Sequence, residues 1–251
     1  MKIARFLFED KVRWGCLTRD DLRQITGNPF ENTNVGDEIV DLSKVRLLAP
    51  IDSTHNKVVG IAANYGKKDT RDGPGIFMKP PGTNISHLDS IVFPRTCTSI
   101  LHEAEVGIVI GRTARRVSPK DAMNHVFGYT CTNDVTSSGN TTSDTGRGGT
   151  MRMKYFDTFC PIGPVIATDI DGNNVRIQCR VNGHTEIDSS SSEMIFNVGE
   201  LVAWVSEVME LHPGDIISSG CPDVGKINIG DTVEVEVEGI GVLKNTVVED
   251  Y

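Results

Sequence analysis

Short apolar runs separated by turn residues recur along most of the chain, and this pattern predicts a structure dominated by strands. The runs occupy residues 58–62, 105–110, 163–167, 175–181, 215–219, 232–237 and 242–248. Asn182-Gly183 lies between two β-prone segments and is a favoured pair for a two-residue hairpin turn. We therefore expect many short strands connected by tight turns.

The first fifty residues have a pattern of their own. Residues 2–7 and 12–17 are short β-prone runs separated by the pair Glu9-Asp10, which predicts a hairpin. A polar stretch follows, and the denser series of strand-like runs begins only after it. We therefore interpret residues 1–50 as a small N-terminal α/β domain and residues 51–251 as one larger domain.

Two helices are signalled by their first residues. Ser118 followed by Pro119 is typical of a helix start and predicts a helix over residues 120–126. Asn197 and Glu200 have the spacing of a capping box, and the apolar residues after them recur at helical spacing. Together with the strand-like runs, these signals predict an α+β fold class, mainly β, with a few packed helices.

Composition and charge exclude several classes of protein. The chain has 251 residues, 38% of them hydrophobic and 24% charged, which is typical of a globular protein. The formal net charge is −9 and no long basic run is present, so we expect no nucleic-acid partner. No segment has the ~18 apolar residues that a membrane helix needs, and charged residues interrupt the start before a secretory core forms. We expect a cytoplasmic protein with no membrane partner.

The most informative stretch is an acidic pair in front of an apolar strand. Glu103 and Glu105 are two residues apart in a strand-like run, so their carboxylates should project from one face. The run continues into the apolar residues 106–110, which places the acids at the edge of the hydrophobic core rather than on an open face. Asp134 offers a third carboxylate where another strand-like segment breaks into a loop rich in Ser, Thr and Gly.

Three carboxylates of this kind suit a hard divalent ion, which would relieve their mutual repulsion. Mg²⁺ or Mn²⁺ fits an oxygen ligand set with open positions, and Ca²⁺ could substitute. Zinc is less suited because the sequence has no Cys/His set with zinc-binding spacing. From spacing alone, solvated acids on an edge strand explain Glu103 and Glu105 equally well.

An ordered series of short motifs resembles the fumarylacetoacetate hydrolase family over nearly the whole C-terminal part of the chain. The motifs are Asn64-Tyr65, Ile76-Phe77-Met78-Lys79-Pro80, His102-Glu103-Ala104-Glu105, Gly128-Tyr129-Thr130, Asn133-Asp134-Val135-Thr136, residues 154–164, Val181-Asn182-Gly183, Gly214-Asp215-Ile216-Ile217 and Gly230-Asp231. The resemblance implies a distorted β-roll behind a small N-terminal domain, with residues 51–251 as the catalytic domain, and a homodimer. It also implies Glu103, Glu105 and Asp134 as metal ligands, and Lys154 as a catalytic group that anchors or polarises the substrate.

Other side chains are candidates for contacting a substrate, in these motif segments and in Ser219-Gly220-Cys221-Pro222, where the family commonly has Thr-Gly-Thr-Pro. We expect Lys79, Tyr129 and Cys221 to bind it together with Lys154. The alternative for the two lysines is a solvated or snorkelling side chain, and the alternative for Cys221 is an inert buried thiol.

The sequence departs from the family pattern where hydrolytic members carry a water-activating His and Glu, shortly after Asn-Tyr. Lys68 and Arg71 occupy those positions, and neither readily serves as a general base. His87, in a loop, is one remaining candidate for a catalytic base, whereas His102 should face away from its acidic neighbours along the strand. The Arg that commonly follows Asn-Asp-Val-Thr in the family is also absent.

These matches and departures leave three functions open. The resemblance implies a divalent-metal-dependent enzyme that acts on a small-molecule carboxylate, a 2-oxo acid or 1,3-dicarbonyl compound, through a metal-stabilised enolate and cleaves a carbon-carbon bond. The missing His and Glu favour a decarboxylase, an isomerase or tautomerase, or a hydratase or dehydratase on the same scaffold. The same losses also fit a protein that has lost catalysis and binds an organic anion through its metal.

Overall fold

Strands make up most of the regular structure. The computed structural model describes residues 1–19, 21–67, 73–138 and 149–250. In chain order the strands are β1 (Lys2–Phe8), β2 (Lys11–Leu17), β3 (Asp21–Thr26), β4 (Asn34–Asp41), β5 (Arg46–Leu48), β6 (Val58–Ala62), β7 (Gly75–Lys79), β8 (Asn84–Ile85), β9 (Ser90–Phe93), β10 (Ser99–His102), β11 (Ala104–Ile110), β12 (Val126–Asn133), β13 (Thr136–Ser138), β14 (Cys160–Ala167), β15 (Arg176–Val181), β16 (His184–Ser190), β17 (Ile216–Ser218), β18 (Gly225–Ile227), β19 (Thr232–Val237) and β20 (Gly241–Glu249). The α-helices are α1 (Pro119–Ala122), α2 (Gly149–Lys154) and α3 (Val198–Val208), and 3₁₀ turns lie at Leu42–Lys44, Pro81–Thr83, Met123–His125 and Ser191–Glu193.

The predicted fold class, α+β and mainly β, is confirmed, and each predicted strand is present. β6 and β19 have the predicted bounds, and the other predicted strands differ by one to three residues at an end. The hairpin at Asn182-Gly183 is present too, with φ values of 51° and 80° that suit a two-residue turn. Very short strands such as β8 and β13 lack an apolar run that would reveal them in the sequence.

The N-terminal strands extend the largest sheet. β1 and β2 form the predicted hairpin, and Glu9 and Asp10 turn the chain at φ values of 49° and 58°. β1 also pairs with β14, where Ile3 lies opposite Ile166. One sheet therefore runs across residue 50, and the division of the chain there stays a prediction.

Three sheets contribute to the core. The largest runs β4-β3-β2-β1-β14-β12-β11-β17-β6-β7, with β5 paired to β1 and β8 paired to β14. A five-stranded sheet runs β16-β15-β19-β20-β9, and a short sheet runs β13-β10-β18. β11 lies between β12 and β17, and every residue of β11 is buried. Side chains on β11 are therefore held by neighbours on both sides.

The helices differ from the prediction in length and number. α1 begins at the Ser118 cap but ends at Ala122 rather than at Val126. The reason is that Val126 already starts β12 and pairs with Ile110. α3 begins with the predicted capping box, whereas α2 was not predicted because six residues are too few to display a helical period. In the described ranges, no helix is long and apolar enough to cross a membrane.

The packing of β11 gives a testable prediction. A Cβ at Gly107 would lie 2.8 Å from a Thr132 methyl and 2.9 Å from a Thr130 methyl. Gly107→Ala should therefore lower the free energy of unfolding by about 1–3 kcal/mol, the usual range for overpacking. Urea denaturation measures this change, with Gly36→Ala as the control because a Cβ there has ordinary contact distances. A loss below about 0.5 kcal/mol for Gly107→Ala would contradict the close packing of β11.

Candidate metal centre

Glu105 lies in the middle of the protein with one carboxylate oxygen unsatisfied. Its side chain projects from β11 and the residue is 1% exposed. Oε2 accepts hydrogen bonds from the Ser218 hydroxyl and from the Gly220 amide at 3.0 Å, while Oε1 is buried without a hydrogen-bond partner in the described ranges. Burial, and then the negative charges of Asp134 and Glu103, raise the pKa of Glu105 well above its ordinary value. The free oxygen needs a cation or a proton.

Glu103 lies at the break between β10 and β11 and faces the same cluster. Its amide donates to the Asn133 side chain at 2.9 Å, which fixes the backbone at the break. Its Oε1 accepts a hydrogen bond from the Thr136 hydroxyl, and its Oε2 lies 2.8 Å from Lys154 Nζ. Ligand atoms of Glu103 and Glu105 lie within 4.8 Å of each other, which confirms the prediction that the two acids share one face.

Asp134 completes a buried group of three carboxylates. It follows the last residue of β12, is 1% exposed, and donates its amide to the Glu103 carbonyl at 3.0 Å. Its Oδ1 lies 2.8 Å from Lys79 Nζ, and its Oδ2 contacts Lys154 Nζ. Because Lys154 contacts both Asp134 and Glu103, these two acids and the two lysines form one network of ion pairs, and Glu105 lies beside it.

Both candidate lysines are buried, so the alternative of solvated side chains is wrong. Lys79 is 1% exposed and Lys154 is 9% exposed. Lys79 also donates to the Val135 carbonyl at 3.3 Å. Burial lowers the pKa of Lys154, but its ion pairs with Asp134 and Glu103 outweigh this and raise the pKa above its ordinary value. Lys154 therefore stays an ammonium group beside the carboxylates.

Cys221 also lies at the cluster, as a neutral thiol. Its Sγ is a donor 3.5 Å from Glu103 Oε2, and it lies within 4.8 Å of ligand atoms of both glutamates. Burial, and then the charges of Glu103 and Glu105, raise the pKa of the thiol. A protonated sulfur is a poor ligand for a hard ion, so oxygen ligands suit this site better.

The residues present fit a divalent ion. A buried carboxylate oxygen without a partner, beside two further carboxylates, is the donor set that Mg²⁺, Mn²⁺ or Ca²⁺ prefers. Glu105, through Oε1, and Glu103 would hold such an ion. Asp134 stays the predicted third ligand, and it would bind the ion through an oxygen that contacts a lysine here.

The structure does not bring His87 and Tyr129 to this cluster. His87 accepts a hydrogen bond from the Lys244 amide and lines a 440 Å³ pocket with Leu42 and Leu88. Tyr129 lies opposite Ile108 on β11, three residues from Glu105 and thus on the other face of the sheet. Its ring packs against Gly172, and burial raises its pKa to about 12. The predictions of a catalytic His87 and a substrate-binding Tyr129 are therefore corrected.

His102 faces away from its acidic neighbours, as predicted. It is fully buried, and its Nε2 lies 2.8 Å from Glu186 Oε2 on β16. Lys68 and Arg71, the residues at the positions of the hydrolytic His and Glu, lie outside the described residues.

Three residues at the cluster were not identified as site residues from the sequence. Ser218 and Gly220 hold Glu105, and the buried hydroxyl of Tyr65 has no hydrogen-bond partner within the described part of the chain. Burial, and then the charges of Glu105 and Cys221, raise the pKa of the Tyr65 hydroxyl above its ordinary value. Tyr65 and Gly220 lie in the motif segments around Asn64 and Cys221, but only the fold reveals which of their atoms face the acids.

Comparison with known families identifies the scaffold. Residues 53–248 match the family model of the fumarylacetoacetate (FAA) hydrolase C-terminal domain. The chain belongs to the fumarylacetoacetate hydrolase family. The resemblance that the ordered motifs indicate is thereby confirmed, and residues 1–50 match a second model, the Rv2993c-like N-terminal domain. Fumarylacetoacetate hydrolase family members are enzymes that use a divalent metal.

Relatives within the family have different activities. The structure of 5-carboxymethyl-2-hydroxymuconate delta-isomerase from Mycobacterium smegmatis is 38% identical, with a TM-score of 0.92 and 100% of both chains covered. An oxaloacetate tautomerase of Bos taurus, a mitochondrial protein, is 35% identical over 229 residues, which are 84% of this chain and 72% of the relative. Maleylpyruvate hydrolase from Sphingobium sp. SYK-6, solved with manganese(II) and pyruvate, is 27% identical, with a TM-score of 0.82 and 100% of both chains covered. Membership of the fumarylacetoacetate hydrolase family therefore leaves the reaction of this chain open.

The role of Glu105 as a ligand can be tested by metal binding. Glu105→Gln should weaken Mn²⁺ binding by more than about 100-fold, because loss of a ligand exceeds the usual effect of losing a supporting hydrogen bond. Electron paramagnetic resonance of free Mn²⁺ measures the dissociation constant. Glu207→Gln, an exposed position on α3, is the matched control. Equal affinities for the wild type and Glu105→Gln would contradict the assignment.

The buried charge of Glu105 also predicts a pH effect on the metal-free protein. Its folded-state pKa is raised by burial and by Asp134 and Glu103, so folding becomes less favourable as the pH rises through that pKa. With chelator present, Glu105→Gln should melt at a higher temperature than the wild type at pH 8, and the difference should shrink towards pH 5. Thermal unfolding across this range measures it, and equal melting temperatures at pH 8 would argue against a destabilising carboxylate.

Proposed function

We propose that this protein is a divalent-metal-dependent enzyme that interconverts the keto and enol forms of a 2-oxo acid. The observation that carries the proposal is the buried cluster, in which Glu105 Oε1 has no hydrogen-bond partner among the described residues and two further carboxylates contact two buried ammonium groups. Such a cluster can hold a cation and, next to it, an organic anion in a protein of net charge −9.

The residues of the cluster have separate roles in this proposal. Glu103, Glu105 and Asp134 would hold Mg²⁺ or Mn²⁺, which supplies Lewis-acid stabilisation of an enolate when bound. Lys154 Nζ, 2.8 Å from Glu103 Oε2, is positioned to bind a substrate oxygen and to stabilise the negative charge that develops there. Lys79 holds Asp134 in place from the other side through its 2.8 Å ion pair.

Tautomerisation is favoured over cleavage by the residues at positions 68 and 71. Hydrolysis of a carbon-carbon bond needs an activated water, and Lys68 and Arg71 stand where hydrolytic members carry His and Glu. Moving a proton between carbon and oxygen needs no such water. The mitochondrial relative of Bos taurus, named an oxaloacetate tautomerase, supports the same choice.

The proposal is tested by following enol-oxaloacetate with ultraviolet absorbance and proton NMR, with Mg²⁺ or Mn²⁺ and with chelator. We expect metal-dependent formation of the keto form, and at least about a 100-fold lower kcat/KM for Lys154→Met, the usual effect of losing one charge-stabilising donor. Lys120→Met, on an exposed part of α1, is the matched control.

Product identity decides between this reaction and the others. If the products are pyruvate and carbon dioxide, the protein is a decarboxylase rather than a tautomerase. If the protein cleaves an acylpyruvate into two acids, it is a hydrolase. Binding of oxaloacetate to the metal-loaded protein without any turnover would support an organic-anion binder instead of an enzyme.

A further inference from the structure

A pocket of 290 Å³ opens beside Lys154, between the β6–β7 hairpin and α2. Its walls include Ala62, Ile76, Phe77 and Met153, and Lys154 is its only charged lining residue in the described part of the chain. Since Lys154 Nζ also contacts two carboxylates of the metal centre, the pocket and the centre share one side chain.

Phe77 connects the two regions. It pairs with Gly60 across the hairpin, and a Cβ at Gly60 would lie only 2.2 Å from the Phe77 ring. The ring therefore packs directly on the backbone of β6. Its centroid is 5.1 Å from Lys154 Nζ, so an aromatic surface leads from the ammonium group into the pocket.

The lining selects for an apolar occupant. A carboxylate placed against Ile76, Phe77 and Met153 would lose water without gaining an ionic partner, since Thr150 is the only polar side chain besides Lys154 in the described lining. In the proposed function Lys154 binds an oxygen of the 2-oxo acid, so its Nζ, which also contacts Glu103 and Asp134, is not available to a second carboxylate at the far end of the substrate. A hydrocarbon group would instead be stabilised by roughly 0.8 kcal/mol for each buried methylene.

We propose that this pocket receives an apolar alkyl or aryl substituent of the 2-oxo acid substrate. The inference rests on the proposed function, because the 2-oxo carboxylate end must lie at Lys154 and the metal centre. The volume of 290 Å³ is ample for a phenyl group or a short alkyl chain, since a cavity of about 150 Å³ already holds benzene. The natural substrate is therefore larger and less polar at its far end than oxaloacetate.

The test measures binding of 2-oxo acids of increasing length to the Mn²⁺-loaded protein. Calorimetry gives dissociation constants for pyruvate, 2-oxobutanoate, 2-oxopentanoate, 2-oxohexanoate and 4-phenyl-2-oxobutanoate. We expect affinity to rise about fourfold for each added methylene, the fold-change that corresponds to 0.8 kcal/mol, until the pocket is full. 2-Oxoadipate, with a second carboxylate at the far end, should bind more weakly than 2-oxohexanoate.

Substitutions in the pocket wall test whether the dependence of affinity on chain length arises in this pocket. Ala62→Leu should fill the pocket and bring the affinities for pyruvate and 2-oxohexanoate to within about twofold of each other. Met153→Ala should weaken the binding of 2-oxohexanoate, because the substitution removes apolar contacts. Met151→Ala is the matched control on the same helix, since Met151 is 58% exposed and does not line the pocket.

Two results would overturn the inference. One is an affinity independent of chain length in the wild type, and the other is tighter binding of 2-oxoadipate than of 2-oxohexanoate. If only the proposed function is wrong, the result is different. The affinity for 2-oxo acids would still rise with chain length, but the protein would show no metal-dependent turnover of oxaloacetate. That result would leave the apolar pocket supported as a binding site.

Discussion

The structure is organised around the mutual repulsion of three carboxylates that the fold buries together. Glu105 and Asp134 are each 1% exposed, and Glu103 lies beside them. Carboxylates in a region of low dielectric are stable only when cations balance them. Lys79 and Lys154 supply two of these charges from the protein, but Glu105 Oε1 contacts neither and has no hydrogen-bond partner among the described residues. The remaining demand for positive charge is what suits this cluster to a divalent ion.

The sheet supplies the rigidity that such a cluster needs. Glu105 is fixed by β11, which is paired on both sides, and by donors from Ser218 at the end of β17 and from Gly220 just beyond it. Glu103 and Asp134 are tied to each other through their backbones at 3.0 Å. These constraints hold the acids where their repulsion cannot be relieved by moving apart. The same packing leaves Phe77 and its neighbours as an apolar wall beside Lys154.

The sequence predicted the strands and the acidic group better than the surroundings of that group. The apolar run of β6 and the alternating valines of β19 give the bounds of both strands because those side chains are buried, and the two-residue spacing puts Glu103 and Glu105 on one face. Tyr129 was assigned wrongly because its pairing with Ile108 turns its side chain to the face of the sheet opposite Glu105, and the pairing of β12 with β11 is not visible in the sequence. Burial of the lysines depends on contacts between distant segments, such as Lys79 with Asp134, which spacing along one strand does not contain.

The most direct test of this account is anomalous diffraction at the manganese edge from crystals of the protein soaked in Mn²⁺. The account predicts a single strong peak within coordination distance of Glu105 Oε1 and of a Glu103 oxygen, with Asp134 as the third protein ligand. It also predicts that the sulfur of Cys221 stays outside the coordination shell. A peak elsewhere in the molecule, or a cluster that stays free of manganese at saturating ion, would contradict the claim that the buried carboxylates exist to hold a divalent ion.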